Sequence, residues 1–300
     1  MSTAGGGADR ANTLPVLAAA LTTMVLWASA FVVIRGVGPH YDPGAMALLR
    51  MLVGSVALGV IALVNGVRLP PRRFLLPTFA WGVAWFGLYN LALNAAGRQI
   101  DAGTTAMLVN LAPLIVVILG GLLLGEGFPR RLILGAPLAF LGVVLIGSAS
   151  STGQAAAGGV ALAIAAAVLY GGSALVQKRL LHTVDATTLT WLGALAGTVS
   201  LLPWAPCLIT DVSSAPLPAT LAVVYLGVFP TAIAFTTWAF VLSRTTAGRT
   251  AATSYLVPAI AIVLSWALLG EVPTPIKLIG GALCLLGVFI TRLPERRSRR

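Results

Sequence analysis

From residue 13 to residue 291 the chain is a succession of ten apolar runs, each near the length that an α-helix needs to cross a bilayer. They fall at 13–34, 43–64, 74–96, 102–125, 132–149, 156–177, 186–210, 217–243, 250–270 and 273–291. A span takes about 20 apolar residues through a hydrocarbon core of about 30 Å. The first nine runs contain one formal charge between them, Arg50, and the tenth has Lys277 near its start. Lipid offers no partner to backbone N–H and C=O groups, so such runs must be helices or the strands of a closed barrel. Barrel strands are short and alternate in polarity, whereas these runs are long and continuous. The expected fold class is therefore an all-α membrane protein with ten transmembrane helices, termed spans 1 to 10. The breaks are too short to hold a soluble domain.

Only 9% of the residues are charged, against about 25% in soluble domains. The net charge of +11 does not imply nucleic acid, because the cations sit in short clusters between apolar runs and form no basic face. With the N-terminus inside, the inner breaks and tails receive Arg10, Arg68, Arg72, Arg73, Arg130, Arg131, Lys178, Arg179, Arg244, Arg249 and the arginines of 292–300. The outer breaks receive only Arg35, Arg98 and Lys277. By the positive-inside rule both termini are expected in the cytoplasm of a plasma-membrane protein. Cys207 and Cys284 lie in apolar runs, and His40 and His182 lie in loops. Neither pair suggests a disulfide framework or a metal site, and no cofactor is expected.

The chain also repeats itself. An offset of 145 lays "GTTAMLVNLAPLIVVILGGLLLGE" on "GRTAATSYLVPAIAIVLSWALLGE" without a gap, with Pro113 on Pro258, Glu126 on Glu271, Gly135 on Gly280 and Gly142 on Gly287. An offset of 143 pairs Asp42 with Asp185, Gly54 with Gly197, and "LWASAFVVIR" with "LYGGSALVQK". Residues 13–149 and 156–291 thus read as two five-helix repeats, between an N-terminal tail (1–12) and a basic C-terminal tail (292–300). Because five is odd, the second copy must be inverted. Ala28-Ser29-Ala30 has the small-x-small pattern of a signal-peptide cleavage site. Its match to a segment inside the second repeat makes it instead a packing surface of a retained span 1.

Inverted repeats are a recurring architecture of secondary transporters, with the substrate site near the midplane between the halves. The stretches "LWASAFVVIR", "DPGAMALLR", "AMLVNLAPLIVVILGGLLLGE" and "AATSYLVPAIAIVLSWALLGE" resemble the EamA family of the drug/metabolite transporter superfamily, over residues 13 to 292. The resemblance implies a ten-helix carrier of small metabolites, often exported. It also implies that spans 1, 3, 4, 6, 8 and 9 surround a central cavity while spans 5 and 10 pack together at one side.

Polar and aromatic groups deep in the spans are the candidate binding residues. Trp81, Trp85 and Tyr89 recur at helical spacing in span 3, with Asn90 and Asn94 on an adjoining stripe. Amides in lipid need a partner or a wet cavity, so Asn90, Asn94 and Asn110 are expected to face inward, toward substrate or toward other helices. Under the repeat offsets Asn110 matches Tyr255, Asn90 matches Phe235 and Trp27 matches Tyr170. These residues and Trp238 are the candidate substrate contacts. Pro113 and Pro258, expected mid-span, deprive the carbonyls of Val109 and Ser254 of their helix donors and are candidate kinks. Arg50, matched by Gly193, is expected either to snorkel outward or to bind a carboxylate or gate the outer mouth. The seams Gly135-Ala139-Gly142 and Gly280-Cys284-Gly287 read as close-packing surfaces.

An enzyme is not expected: Ser173 would be the nucleophile, yet no base lies within a span. No Asp or Glu lies at mid-membrane, which argues against cationic drugs. The expected function is alternating-access export of a small neutral, zwitterionic or anionic metabolite such as an amino acid. A channel, or a non-transport protein on the same duplicated bundle, is the alternative. Expected partners are the small-molecule substrate and the bilayer, not nucleic acid, with the chain a monomer or weak homodimer.

Overall fold

The computed structural model describes residues 6–67, 69–124, 131–149, 154–242, 244, 254 and 256–292. Among these there is no strand. The helices are α1 (Gly6–Val37), α2 (Pro43–Asn65), α3 (Arg72–Gln99), α4 (Ala102–Val109), α5 (Ala112–Leu124), α6 (Leu132–Ala149), α7 (Gln154–Leu180), α8 (Ala186–Ser214), α9 (217–242), α10 (Leu256–Leu269) and α11 (Pro275–Arg292). Six of them, α1, α2, α3, α7, α8 and α9, contain segments long and apolar enough to cross a membrane. Four shorter apolar helical stretches lie at Ala102–Val116, Leu134–Ile146, Leu256–Leu269 and Pro275–Ile290.

Acidic residues outside the apolar runs start several of these helices. Asp42 Oδ1 accepts from the backbone N–H of Gly44 at 2.8 Å, Asp101 Oδ1 from Thr104 at 2.7 Å and Asp185 Oδ1 from Thr188 at 2.9 Å. Each satisfies a donor that the first helical turn leaves open, a cap normally worth about 1 kcal/mol. Gly270 ends α10 with φ +67, a left-handed turn that costs glycine little and that sends Glu271 back across the bundle.

Small residues set how closely the helices approach. A Cβ added at Gly142 would lie 2.4 Å from the carbonyl oxygen of Gly280 and 2.6 Å from Cys284 Sγ. One added at Gly287 would lie 2.5 Å from the carbonyl oxygen of Gly135. Cys284 Sγ donates to the Ala139 carbonyl at 3.3 Å, so α6 and α11 meet backbone to backbone along the seam. Ala28 and Ala30 are buried, and Ser29 Oγ hydrogen-bonds Tyr225 Oη at 2.8 Å, joining α1 to α9.

Contacts recur in exchanged pairs under the offsets of 143 and 145. Gly82 abuts the backbone of Gly193, and Gly227 the carbonyl of Arg50; 227 is the equivalent of 82 and 193 of 50. Gly54 faces Thr231 while Gly197 faces Phe86, and the Gly142–Gly280 approach returns as Gly287–Gly135. Ser55 hydrogen-bonds its own equivalent, Thr198, at 3.0 Å. Exchanged pairs and a self-pair are the contacts of a self-complementary interface.

Candidate substrate-binding site

Two π-helical segments occupy equivalent positions: Val83–Leu88 within α3 and Gly227–Ile233 within α9. Each lengthens a turn by one residue, which swings the side chains beyond it by about 100° relative to an unbroken α-helix. In α9 the cause is legible. Pro230 has no N–H to give the Leu226 carbonyl, which the Thr231 hydroxyl serves instead at 2.9 Å. In α3 the Asn90 side-chain amide donates to the carbonyl of Phe86 at 3.0 Å and of Trp85 at 3.4 Å.

Between these segments lies a cavity with about 80 Å³ of free volume, lined by Trp27, Arg50, Trp85, Tyr89, Asn110, Tyr170 and Phe235 together with Ala30, Phe31, Leu93, Val109, Ser254 and Val257. At 10–15 Å³ per water this holds on the order of five to eight waters, the scale of a small amino acid rather than a nucleotide. Its aromatic wall is continuous. The Trp85 ring lies 5.4 Å from Tyr170 and 6.3 Å from Phe235, Tyr89 lies 6.0 Å from Tyr170, and Trp27 lies 5.9 Å from Phe235. These are tilted or edge-on pairs, the arrangement that ring quadrupoles favour.

The polar groups at the cavity are Arg50, Asn110, Ser254 and the two tyrosine hydroxyls. Arg50 does not snorkel outward. It is 6% exposed and its Nε donates to Thr231 Oγ1 at 3.0 Å, linking α2 to α9. Its Nη1 is buried with no hydrogen-bond partner. Asn110 stands where α4 stops; its side-chain amide donates to the Ala106 carbonyl at 2.9 Å.

Other expectations resolve differently. Asn90 and Asn94 are buried but are turned to backbone: Asn90 to its own π-helical turn and Asn94 to the Pro43 carbonyl at 3.0 Å. Both lie beyond or within the register change that a straight 3.6-residue period does not anticipate. Trp238 packs on Trp27 at 5.1 Å, behind the wall. Trp81 is no interface anchor, being buried with Nε1 donating to the Ser173 carbonyl at 3.0 Å. Pro113 kinks no continuous helix. The chain breaks at Asn110-Leu111, and Pro113 sits in the first turn of α5, where its missing N–H costs nothing. Pro258 likewise lies in the first turn of α10. Tyr255 and Glu126 lie outside the described residues. Thr231, Ser254 and Val257 were not anticipated, because threonine, serine and valine in an apolar span carry no distinguishing signal.

Beyond the cavity, about 12 Å along α1 from Trp27 by helical rise, charged groups tie helix ends together. Arg35 Nε pairs with Glu271 Oε1 at 2.7 Å, and Arg35 Nη1 donates to the carbonyl of Arg98 at 3.0 Å. Glu271 Oε2 accepts from the N–H of Ala102 at 3.2 Å, at the start of α4. Lys277 Nζ pairs with Asp101 Oδ2 at 2.8 Å. The ends of α1, α3, α4, α10 and α11 are thereby joined. Burial alone would raise the Asp101 carboxyl, but Lys277 and the N–H and hydroxyl of Thr104 outweigh it and hold the group below the usual range. A depressed carboxyl stabilises the fold above its unfolded value of about 4, and that contribution disappears as pH falls through the folded value. Thermal unfolding of the detergent-solubilised protein is therefore expected to lose midpoint below about pH 4, and Asp101→Asn to flatten that acid limb.

The profile of the EamA-like transporter family matches residues 14–148 and again residues 157–293. The chain belongs to this family. A "Probable terminal-alkyne amino-acid exporter" of Streptantibioticus cattleyicolor is 36% identical over 279 residues, 91% of each chain. The "Uncharacterized transporter YdfC" of Bacillus subtilis is 31% identical, over 97% of this chain and 95% of its own. A "Probable amino-acid metabolite efflux pump" of Salmonella typhimurium is 26% identical, over 90% and 92%. A crystal structure 20% identical in sequence shares the fold with a TM-score of 0.63, over 92% of this chain and 96% of its own. This EamA-like protein is a multi-pass membrane transporter and not an enzyme.

Proposed function

We propose that this EamA-like chain is an alternating-access exporter of small neutral, zwitterionic or anionic metabolites, amino acids among them. It does so as ten spans in two inverted five-helix repeats, with both termini in the cytoplasm. The observation that carries the reading is the cavity of aromatic rings and one guanidinium, lying between segments that make exchanged contacts across the two repeats. Two similar halves of opposite orientation can trade conformations, so that one site opens to one side and then to the other. The names of two relatives, an amino-acid exporter and an amino-acid metabolite efflux pump, support the direction and the class. The test is counterflow in proteoliposomes, with saturable uptake of labelled amino acid driven by unlabelled amino acid on the other side. Single-channel currents in place of exchange would favour a channel.

On this reading the Arg35–Glu271 cluster is the closed extracellular gate, since the cation bias puts that end outside. Glu271→Gln removes the ion pair and weakens the hold on α4. Labelling of a cysteine introduced at Ala30 by an impermeant maleimide is then expected to rise about fivefold or more, the change in population that roughly 1 kcal/mol produces. Unchanged labelling would separate the cluster from gating.

A further inference from the structure

We propose that the cavity selects molecules bearing a carboxylate, with Arg50 as the anchor. The inference rests on the cavity being the transport site and names what that site requires. Arg50 is the only formal charge in the first nine apolar runs, and all eight acidic residues lie outside the ten runs. Where the structure describes them, those carboxylates are committed elsewhere. Asp42, Asp101 and Asp185 cap helices, Asp211 accepts from the Asp42 N–H at 2.7 Å, and Glu271 holds Arg35. No acidic side chain is among the described residues lining the cavity. A buried guanidinium without a counter-charge is costly, since a buried charge is normally neutralised by a partner.

The geometry says which kind of partner is missing. Thr231 Oγ1 fixes Nε, so the planar fork is oriented, and Nη1 is left buried and unsatisfied beside the cavity. A guanidinium held at one nitrogen presents its others to a planar two-oxygen acceptor, the match that distinguishes arginine from lysine. The rest of the ligand meets the rings of Trp27, Trp85, Tyr170 and Phe235, which suit an apolar tail or an ammonium group. The small volume limits the whole to about the size of a five-carbon acid. Because Thr231 belongs to α9 and Arg50 to α2, the anchored carboxylate also bears on the contact between the two halves.

The test uses the full-length protein in chloride-free buffer, read by tryptophan fluorescence and by thermal midpoint. The probes are L-norvaline, pentanoate, L-norvalinamide and n-butylamine. Norvaline and pentanoate are expected to bind at least about tenfold more tightly than the amide and the amine. Arg50→Gln is expected to erase that preference and Arg50→Lys to retain only part of it. Equal binding of acid and amide would overturn the carboxylate requirement while leaving the transport site standing. So would exchange, in counterflow, of compounds that lack a carboxylate, or displacement of the acids by chloride at equal concentration. Failure of every probe together with failure of all counterflow would remove the transport reading and this inference with it.

Discussion

Gly142→Leu is expected to prevent recovery of folded protein, measured as monodisperse material on size exclusion after extraction. The substitution forces a branched side chain into a place where even one Cβ would sit 2.4 Å from a backbone oxygen of the opposing helix. Overpacking usually costs about 1–3 kcal/mol where neighbours can move. Here the neighbours are the backbones of Gly280 and Cys284, which cannot rotate away, so α6 and α11 must separate along their length. In lipid, helix pairing depends on such close packing rather than on a hydrophobic drive, and no second force replaces it. Gly287→Leu makes the equivalent clash with Gly135 and Ala139 and is expected to fail in the same way. Leucine at Gly66, where an added Cβ meets nothing, tests the contrary case: its cost comes from a φ of +80 alone, and folded protein is expected to survive.

The second large effect is on flux. Asn110→Ala is expected to lower the counterflow rate at least about tenfold with little change in thermal midpoint. Its printed bond is a single one to the Ala106 carbonyl at the exposed turn of its own helix end, so the fold loses about 1 kcal/mol. Trp85→Ala is expected to lower flux as far, but at a greater cost in stability, because its ring meets Trp81, Phe86, Tyr170 and Phe235. Trp85→Phe separates the two effects by restoring packing while shrinking the wall. Wild-type flux from both alanine variants would remove these residues from the site.

Much of this arrangement is legible in the sequence because lipid permits so little else. Aromatic and polar residues deep in apolar spans stand out, and Trp27, Arg50, Trp85, Tyr89, Asn110, Tyr170 and Phe235 do converge on one cavity. What is not legible depends on backbone events. A π-helical turn changes the register of everything after it, so Asn90 and Asn94, placed by a 3.6-residue period, turn to carbonyls instead. Pro230 announces such a turn in α9, yet proline in a membrane span signals only that some hydrogen bond is lost, not how Thr231 replaces it. Similarly, Pro113 and Pro258 mark where helices begin rather than where they bend. Glu271 reads from sequence as a loop or capping residue; that it reaches Arg35 and the start of α4 depends on the left-handed turn at Gly270.

Position 193, the counterpart of Arg50, has no room for any side chain: a Cβ there would lie 2.4 Å from the Trp81 ring. A dimer of one identical five-helix subunit would have to place guanidinium groups at both positions, two like charges sharing a single low-dielectric chamber. Joining the halves in one polypeptide frees each to differ, so that a lone cation faces a solute which then has one preferred way round. An orientation of the cargo is thus imposed by breaking the symmetry that the scaffold otherwise keeps.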